Sequence, residues 1–90
     1  MNAKAVRARL RDIFKEAKKQ GYNVETRVET IHLFPKQPYL PYIKVEDFGV
    51  ILSYGVGDTS KEYSIAEMHL EIQGLTQGLI LASKLQTALK

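Results

Sequence analysis

The apolar residues of this ninety-residue chain change their spacing twice, from a helical period to alternation and back again. In residues 3–19 they recur every three or four positions, which places them on one face of a helix. Between residues 22 and 63 they run in short segments that largely alternate with polar residues, as strands with one buried face do. From Ser64 onwards the spacing returns to three and four. The pattern predicts an α+β fold with a helix at each end and a sheet between them.

Ninety residues predict a single compact domain, residues 1–90, because a second hydrophobic core would need a longer chain. No apolar run reaches the roughly 18 residues of a membrane-spanning helix, and the basic N-terminal residues lack the apolar stretch of a signal peptide. The chain has no cysteine, which excludes disulfides, thiolate metal sites and a cysteine nucleophile. We therefore expect a cytoplasmic protein without contact with a membrane.

The first predicted helix carries most of the positive charge of the chain. Residues 1–20 contain seven basic and two acidic residues, a net charge of +5, and the other seventy contain six basic and eight acidic residues, a net charge of −2. The formal net charge of +3 therefore combines a basic N-terminal segment with a mildly acidic remainder of the chain. The apolar face of this helix comprises Val6, Leu10, Ile13, Phe14 and Ala17.

Five of the basic residues fall on one flank of the helix, next to its apolar face. At about 100° per residue they form a row about 21 Å long, while Asp12 and Glu16 fall on the opposite flank. We call this row the basic stripe: Lys4, Arg7, Arg11, Lys15 and Lys18. The separation by sign predicts contact with an acidic protein surface or with a nucleic-acid backbone. In the alternative interpretation the stripe is a solvated helix face, or its bases pair with acidic residues elsewhere in the chain.

The strands are predicted in residues 22–34, 42–46 and 48–56, with a short return strand at 61–63, giving an antiparallel sheet of three or four strands. The apolar parity of 22–34 reverses after Thr30, which predicts a bulge or a strand end covered on both faces. Both helices are expected to cover one face of the sheet. The residues expected on that face are Val24, Val28, Phe48, Val50, Leu52 and Tyr54.

Residues 35–41 contain three prolines at every third position, which predicts a stiff loop with polyproline II tendency. Large apolar side chains crowd this segment and its two flanks, and a stiff apolar loop loses little entropy when it binds a partner. The predicted contact residues are Tyr39, Leu40 and Tyr42. In the alternative interpretation the loop folds back and covers an edge of the core.

The last predicted helix begins at Ser64, which forms a capping box with Glu67. An apolar seam with a period of 3.5 residues continues to the end of the chain, across Gly74 and Gly78. Either the helix breaks near Gly74, or the glycines permit close packing. The seam packs on the chain's own core or on a second copy of the chain. The residues of a possible dimer seam are Met68, Ile72, Leu75, Leu79 and Leu89.

Catalytic and metal-binding patterns are not found in the sequence. His32 and His69 lack the spacing of metal ligands, the serines lack a nucleophile-elbow context, and the adjacent Glu46 and Asp47 would point to opposite faces of a strand. We therefore expect no enzyme, no cofactor and no metal.

Two hypotheses of function remain. The first is a small binding protein, an inhibitor or adaptor of the kind that phages and mobile elements encode, which contacts a protein partner through the basic stripe and the proline-aromatic loop. The second is a nucleic-acid-binding module that contacts phosphates through the basic stripe. The stripe has no exposed aromatic residue among its bases, which disfavours binding of single strands by stacking.

Overall fold

A computed structural model describes residues 1–37, 40–47, 49–54, 61–65, 67 and 76–89. Two helices come first, five strands follow, and one helix closes the described chain. Their bounds are α1 Ala3–Arg9, α2 Arg11–Lys19, β1 Tyr22–Thr26, β2 Ile31–Pro35, β3 Tyr42–Glu46, β4 Gly49–Tyr54, β5 Lys61–Tyr63 and α3 Thr76–Ala88. The predicted α+β class is confirmed, with five strands rather than the three or four expected.

The single N-terminal helix of the prediction is a pair of helices that meet at Leu10. The backbone of Leu10 leaves helical values, and its carbonyl oxygen accepts hydrogen bonds from the backbone N–H groups of Ile13 and Phe14. Neither proline nor glycine forces this kink. Leu10 and Ile13 pack against the core, so we attribute the kink to tertiary packing.

The predicted long strand 22–34 is in fact the hairpin β1–β2, which turns at residues 27–30. The reversal of apolar parity after Thr30 therefore marks a turn, and the bulge is wrong. The other alternative, a strand end covered on both faces, agrees with β2, where Ile31, His32 and Leu33 are all buried. Val28 lies in that turn and is 86% exposed, contrary to its expected place on the covered face. The turn closes with a hydrogen bond from the Arg27 N–H to the Thr30 carbonyl oxygen.

The sheet has the strand order β1-β2-β3-β4-β5, and every neighbouring pair is antiparallel. One row of directly paired residues crosses four strands and faces the helices: Val24, Leu33, Ile43 and Leu52. Ile31, Val45 and Val50 form a parallel row on the same face. Because both rows are buried or half-buried, this face carries the core, as expected for Val24, Val50 and Leu52.

All three helices contact the covered face of the sheet. The first pair packs on β1, and α3 packs on β3 and β4 beside α2. Gly78 brings α3 close to the sheet, because a Cβ atom there would lie 2.5 Å from two ring carbons of Pro41. This confirms for Gly78 the interpretation that a glycine permits close packing, whereas Gly74 lies outside the described residues.

The segment that precedes β3 belongs to the core. Leu40 is 5% exposed, and the Tyr22 hydroxyl donates a hydrogen bond of 2.7 Å to the carbonyl oxygen of Pro41. Pro35, expected in the loop, is the last residue of β2 and pairs with Tyr22. These contacts favour the alternative in which the proline-aromatic loop covers the core.

The predicted capping box is present. The Ser64 N–H donates to Glu67 Oε1 and the Glu67 N–H donates to Ser64 Oγ, each over 3.2 Å. Hydrogen bonds to the ionised carboxylate from the Ser64 side chain and from the Ser64 N–H hold the pKa of Glu67 below its usual value.

Of the seam residues, Leu79 and Leu89 are half-buried and pack against the chain's own core. Met68, Ile72 and Leu75 lie outside the described residues.

Candidate functional site

All five residues of the basic stripe line one groove on the surface of α1 and α2. The groove has a volume of about 380 Å³, and its remaining lining residues are Ala8 and Phe14. Lys4 and Arg7 come from α1 and the other three bases from α2, so the groove runs across the kink at Leu10. Within the described part of the chain, no acidic residue lines it. We call this feature the basic groove.

Phe14 lies at the floor of the basic groove and is only 1% exposed. The Arg7 guanidinium carbon lies 5.4 Å from the centre of the Phe14 ring, a distance at which a cation is attracted to the ring face. Arg7 Nη1 also donates a hydrogen bond of 2.8 Å to Thr26 Oγ1 on β1. These two contacts hold Arg7 in place and leave most of its N–H donors available to a ligand.

The two flanks of the helix pair face different surroundings. On the flank away from the stripe, Arg9 Nη2 donates to the Ala88 carbonyl oxygen over 3.5 Å, so that side faces α3. On the other flank, Arg7 reaches Thr26 at the end of β1. Because β1 lies at one edge of the sheet, this contact places Arg7 on the side of the helix pair that faces that edge.

The bases of the stripe make no ion pair with any residue that the structure describes. The ion pairs found there join Arg27 to Glu25, Lys44 to Glu46, and the Met1 amino group to Asp47. The described residues therefore give no support to the interpretation that the stripe pairs with acidic residues elsewhere in the chain. A positive field that is not neutralised locally is available to attract an anionic partner.

A second cluster of functional side chains lies on the opposite face of the sheet. His32 is 7% exposed, and its ring stacks on Phe34 with centroids 5.8 Å apart. Thr30 Oγ1 lies 2.8 Å from His32 Nε2, and a hydrogen bond joins His32 Nδ1 to the Tyr42 hydroxyl. Tyr42, predicted as a contact residue, is half-buried in this cluster.

Both titratable members of this cluster are held neutral near pH 7. Burial, reinforced by the positive charge of Arg27, lowers the pKa of His32 from 6.5. Burial likewise raises the pKa of Tyr42 from 10.0. A neutral histidine and a neutral tyrosine that satisfy each other act as a structural contact between β2 and β3.

The remaining predicted site residues are distributed as follows. Leu40 belongs to the core, and Tyr39 lies outside the described residues. No three histidine, aspartate or glutamate side chains of the described part approach closely enough to hold a metal ion. None of its helices combines the length and the apolar character that a bilayer crossing needs.

The sequence located the five bases, but the contacts that organise them depend on tertiary structure. Thr26 meets Arg7 across nineteen positions of the chain, and Tyr42 meets His32 across ten. The first contact depends on how α1 packs on β1 and the second on the register between β2 and β3, and hydrophobic spacing specifies neither. Comparisons with protein-family models, with curated proteins and with solved structures find no match.

Proposed function

We propose that this protein is a small non-enzymatic binding protein whose basic groove holds an acidic segment of a partner protein. The observation that carries the proposal is the convergence of all five stripe bases on one groove without an acid among the described lining residues. Carboxylates of a partner would replace the missing counter-charges, and complementary charge accelerates encounter and selects acidic partners.

The central arginine supports a carboxylate ligand. A guanidinium presents paired N–H groups that match the two oxygens of a carboxylate. Because the Phe14 ring and Thr26 already hold the Arg7 side chain, less conformational entropy is lost when a ligand binds. Arg7 would therefore be the anchor of the groove.

The floor of the groove favours a protein partner over single-stranded nucleic acid. Proteins that bind single strands present exposed aromatic rings on which bases stack. Phe14, the aromatic residue of the groove, is 1% exposed and has Arg7 over its ring. Outside residues 1–20 the chain carries a net charge of −2, which opposes a long polyanion that extends beyond the groove.

Fluorescence anisotropy with two labelled probes of equal charge tests the proposal. The probes are a peptide of eight glutamates and a single-stranded oligonucleotide with eight phosphates. We expect the peptide to bind more tightly, and Arg11→Glu or Lys15→Glu to weaken it about tenfold or more. Lys19→Glu and Lys84→Glu are matched controls, because both residues are exposed and lie outside the groove, and we expect changes of less than about threefold.

The same measurements separate the two hypotheses of function. If the oligonucleotide binds more tightly and its affinity falls steeply between about 50 and 200 mM salt, the nucleic-acid hypothesis replaces the proposal. Equal losses for the groove variants and for the control variants would show that net charge, rather than the groove, attracts the peptide.

A further inference from the structure

The edge strand β1 runs beside the basic groove with its outer side uncovered in the described part of the chain. There β1 pairs only with β2, and Asn23, Glu25 and Thr26 are exposed. Every second residue of such an edge directs its backbone N–H and C=O groups outwards. These groups are the template on which an extended peptide adds as a further strand.

The helix pair that carries the basic stripe packs on β1. The helix pair and β1 are joined by a short turn at Gln20 and Gly21, so Lys18 lies near the start of β1. Arg7 meets Thr26 at the opposite end of the strand. The stripe spans at most about 21 Å and β1, with five residues, about 17 Å, so a peptide strand paired with β1 lies within the length of the stripe.

The spacing of the bases also suits a strand. They recur every three or four residues, which is about 4.5 to 6 Å along a helix. Alternate side chains of a strand lie about 6.7 Å apart and point to the same face. Three acidic residues at alternate positions would therefore lie under successive bases of the stripe.

We infer that the acidic segment of the partner binds as a sixth strand along the outer edge of β1, with its acidic residues beneath the basic stripe. The inference rests on the proposed function and adds how the partner is recognised. Backbone hydrogen bonds to β1 would supply affinity without regard to sequence, and the stripe would select acids at alternate positions. Residues between those acids would lie on the same sheet face as Asn23 and Glu25, where the negative charge of Glu25 disfavours further acids.

Hydrogen exchange of the ¹⁵N-labelled protein tests this binding mode. The probe is a blocked eight-residue peptide that alternates glutamate with threonine. At saturation we expect every second amide of Tyr22–Thr26 to exchange at least about tenfold more slowly, because strand addition buries that set alone. A peptide of the same composition with four glutamates followed by four threonines is the control, and we expect it to bind several-fold more weakly.

Three other outcomes are informative. If Lys15→Glu abolishes peptide binding but the β1 amides of the wild type gain no protection, the sixth strand is wrong and the proposed function stands. If the alternating and block peptides bind equally well, the stripe does not read alternate positions and the inference fails. If neither peptide binds at low salt, the inference and the proposed function both fail.

Discussion

Among the individual residues, His32 shows how burial sets the protonation state of a side chain for which the sequence pattern predicts no role. It lies in β2, directly opposite Glu25 of β1 and Lys44 of β3. Burial and the charges of Arg27 and Lys44 disfavour its protonated form, and Glu25 opposes them only in part. The neutral ring keeps its contacts to Thr30 and to the Tyr42 hydroxyl.

The lowered pKa of His32 predicts a stability that decreases in mild acid. In the unfolded chain the imidazole binds a proton near pH 6.5, whereas in the folded chain it does so only at lower pH. The contribution of His32 to the free energy of unfolding is therefore complete above pH 6.5 and is lost as the pH drops from there to the folded pKa. Urea unfolding at pH 7.5 and at pH 5.5 measures the loss.

The variant His32→Gln is the control for this effect, since glutamine keeps hydrogen-bonding capacity and does not titrate in this range. We expect its stability to change less between pH 7.5 and 5.5 than that of the wild type. His69 is present in both proteins, so its titration cancels in the comparison. NMR titration of the His32 ring gives the pKa directly, and a value at or above 6.5 would contradict the prediction.

At the scale of elements, the helix α3 is the clearest case of packing that overrides local preference. Glycine within a helix costs roughly 0.5 to 1 kcal/mol relative to alanine. Gly78 nevertheless lies in the first turn of α3, where it allows the backbone to approach Pro41 and the Tyr22 hydroxyl. Further along α3, the side chain of Gln86 accepts a hydrogen bond of 2.9 Å from the Val50 N–H of β4.

We expect Gly78→Ala to lower the free energy of unfolding by about 1 to 2 kcal/mol, although alanine favours the helix. The added Cβ would lie 2.5 Å from a proline ring that has little freedom to move, so α3 must shift away from the sheet. Ser83→Ala is the matched control, because Ser83 is exposed on the same helix. Urea unfolding of both variants measures the difference, and a Gly78→Ala protein more stable than the wild type would refute the close approach.

The hairpin β1–β2 shows why the alternation of apolar residues does not define every strand boundary. Alternation places Val24 and Leu33 correctly in strands, since both face the core. The turn at residues 27–30 lacks glycine, proline and asparagine, the residues that usually mark a turn. Its sequence, Arg-Val-Glu-Thr, continues the alternation, so a single bulged strand fitted the pattern equally well.

At the scale of the whole molecule, the distribution of charge sets a cost in stability. Five like charges converge on one groove, and the described residues provide no counter-charge for them. Mutual repulsion of such charges destabilises the folded state and is screened by salt. We therefore expect the folded protein to be less stable while no anionic partner occupies the basic groove.

We expect the free energy of unfolding to rise by about 0.5 to 1 kcal/mol between roughly 20 and 300 mM sodium chloride. Urea unfolding at the two salt concentrations measures the change. In the variant Lys15→Gln the increase should be smaller, because one repelling charge is gone, whereas Lys84→Gln on α3 should behave like the wild type. A stability that falls with added salt would indicate that the stripe is paired within the protein.

Local periodicity is enough to predict the α+β class and a flank of five bases, because both depend on the spacing of residues close together in the chain. The helical period predicts that Lys4, Arg7, Arg11, Lys15 and Lys18 share one flank of a single helix, and the structure keeps them in one groove across the kink at Leu10. Long-range contacts are needed to bring this flank to the edge strand β1 and to hold Arg7 against Phe14 and Thr26. Those facts depend on strand order, register and the kink at Leu10, which arise from contacts between residues distant in the chain.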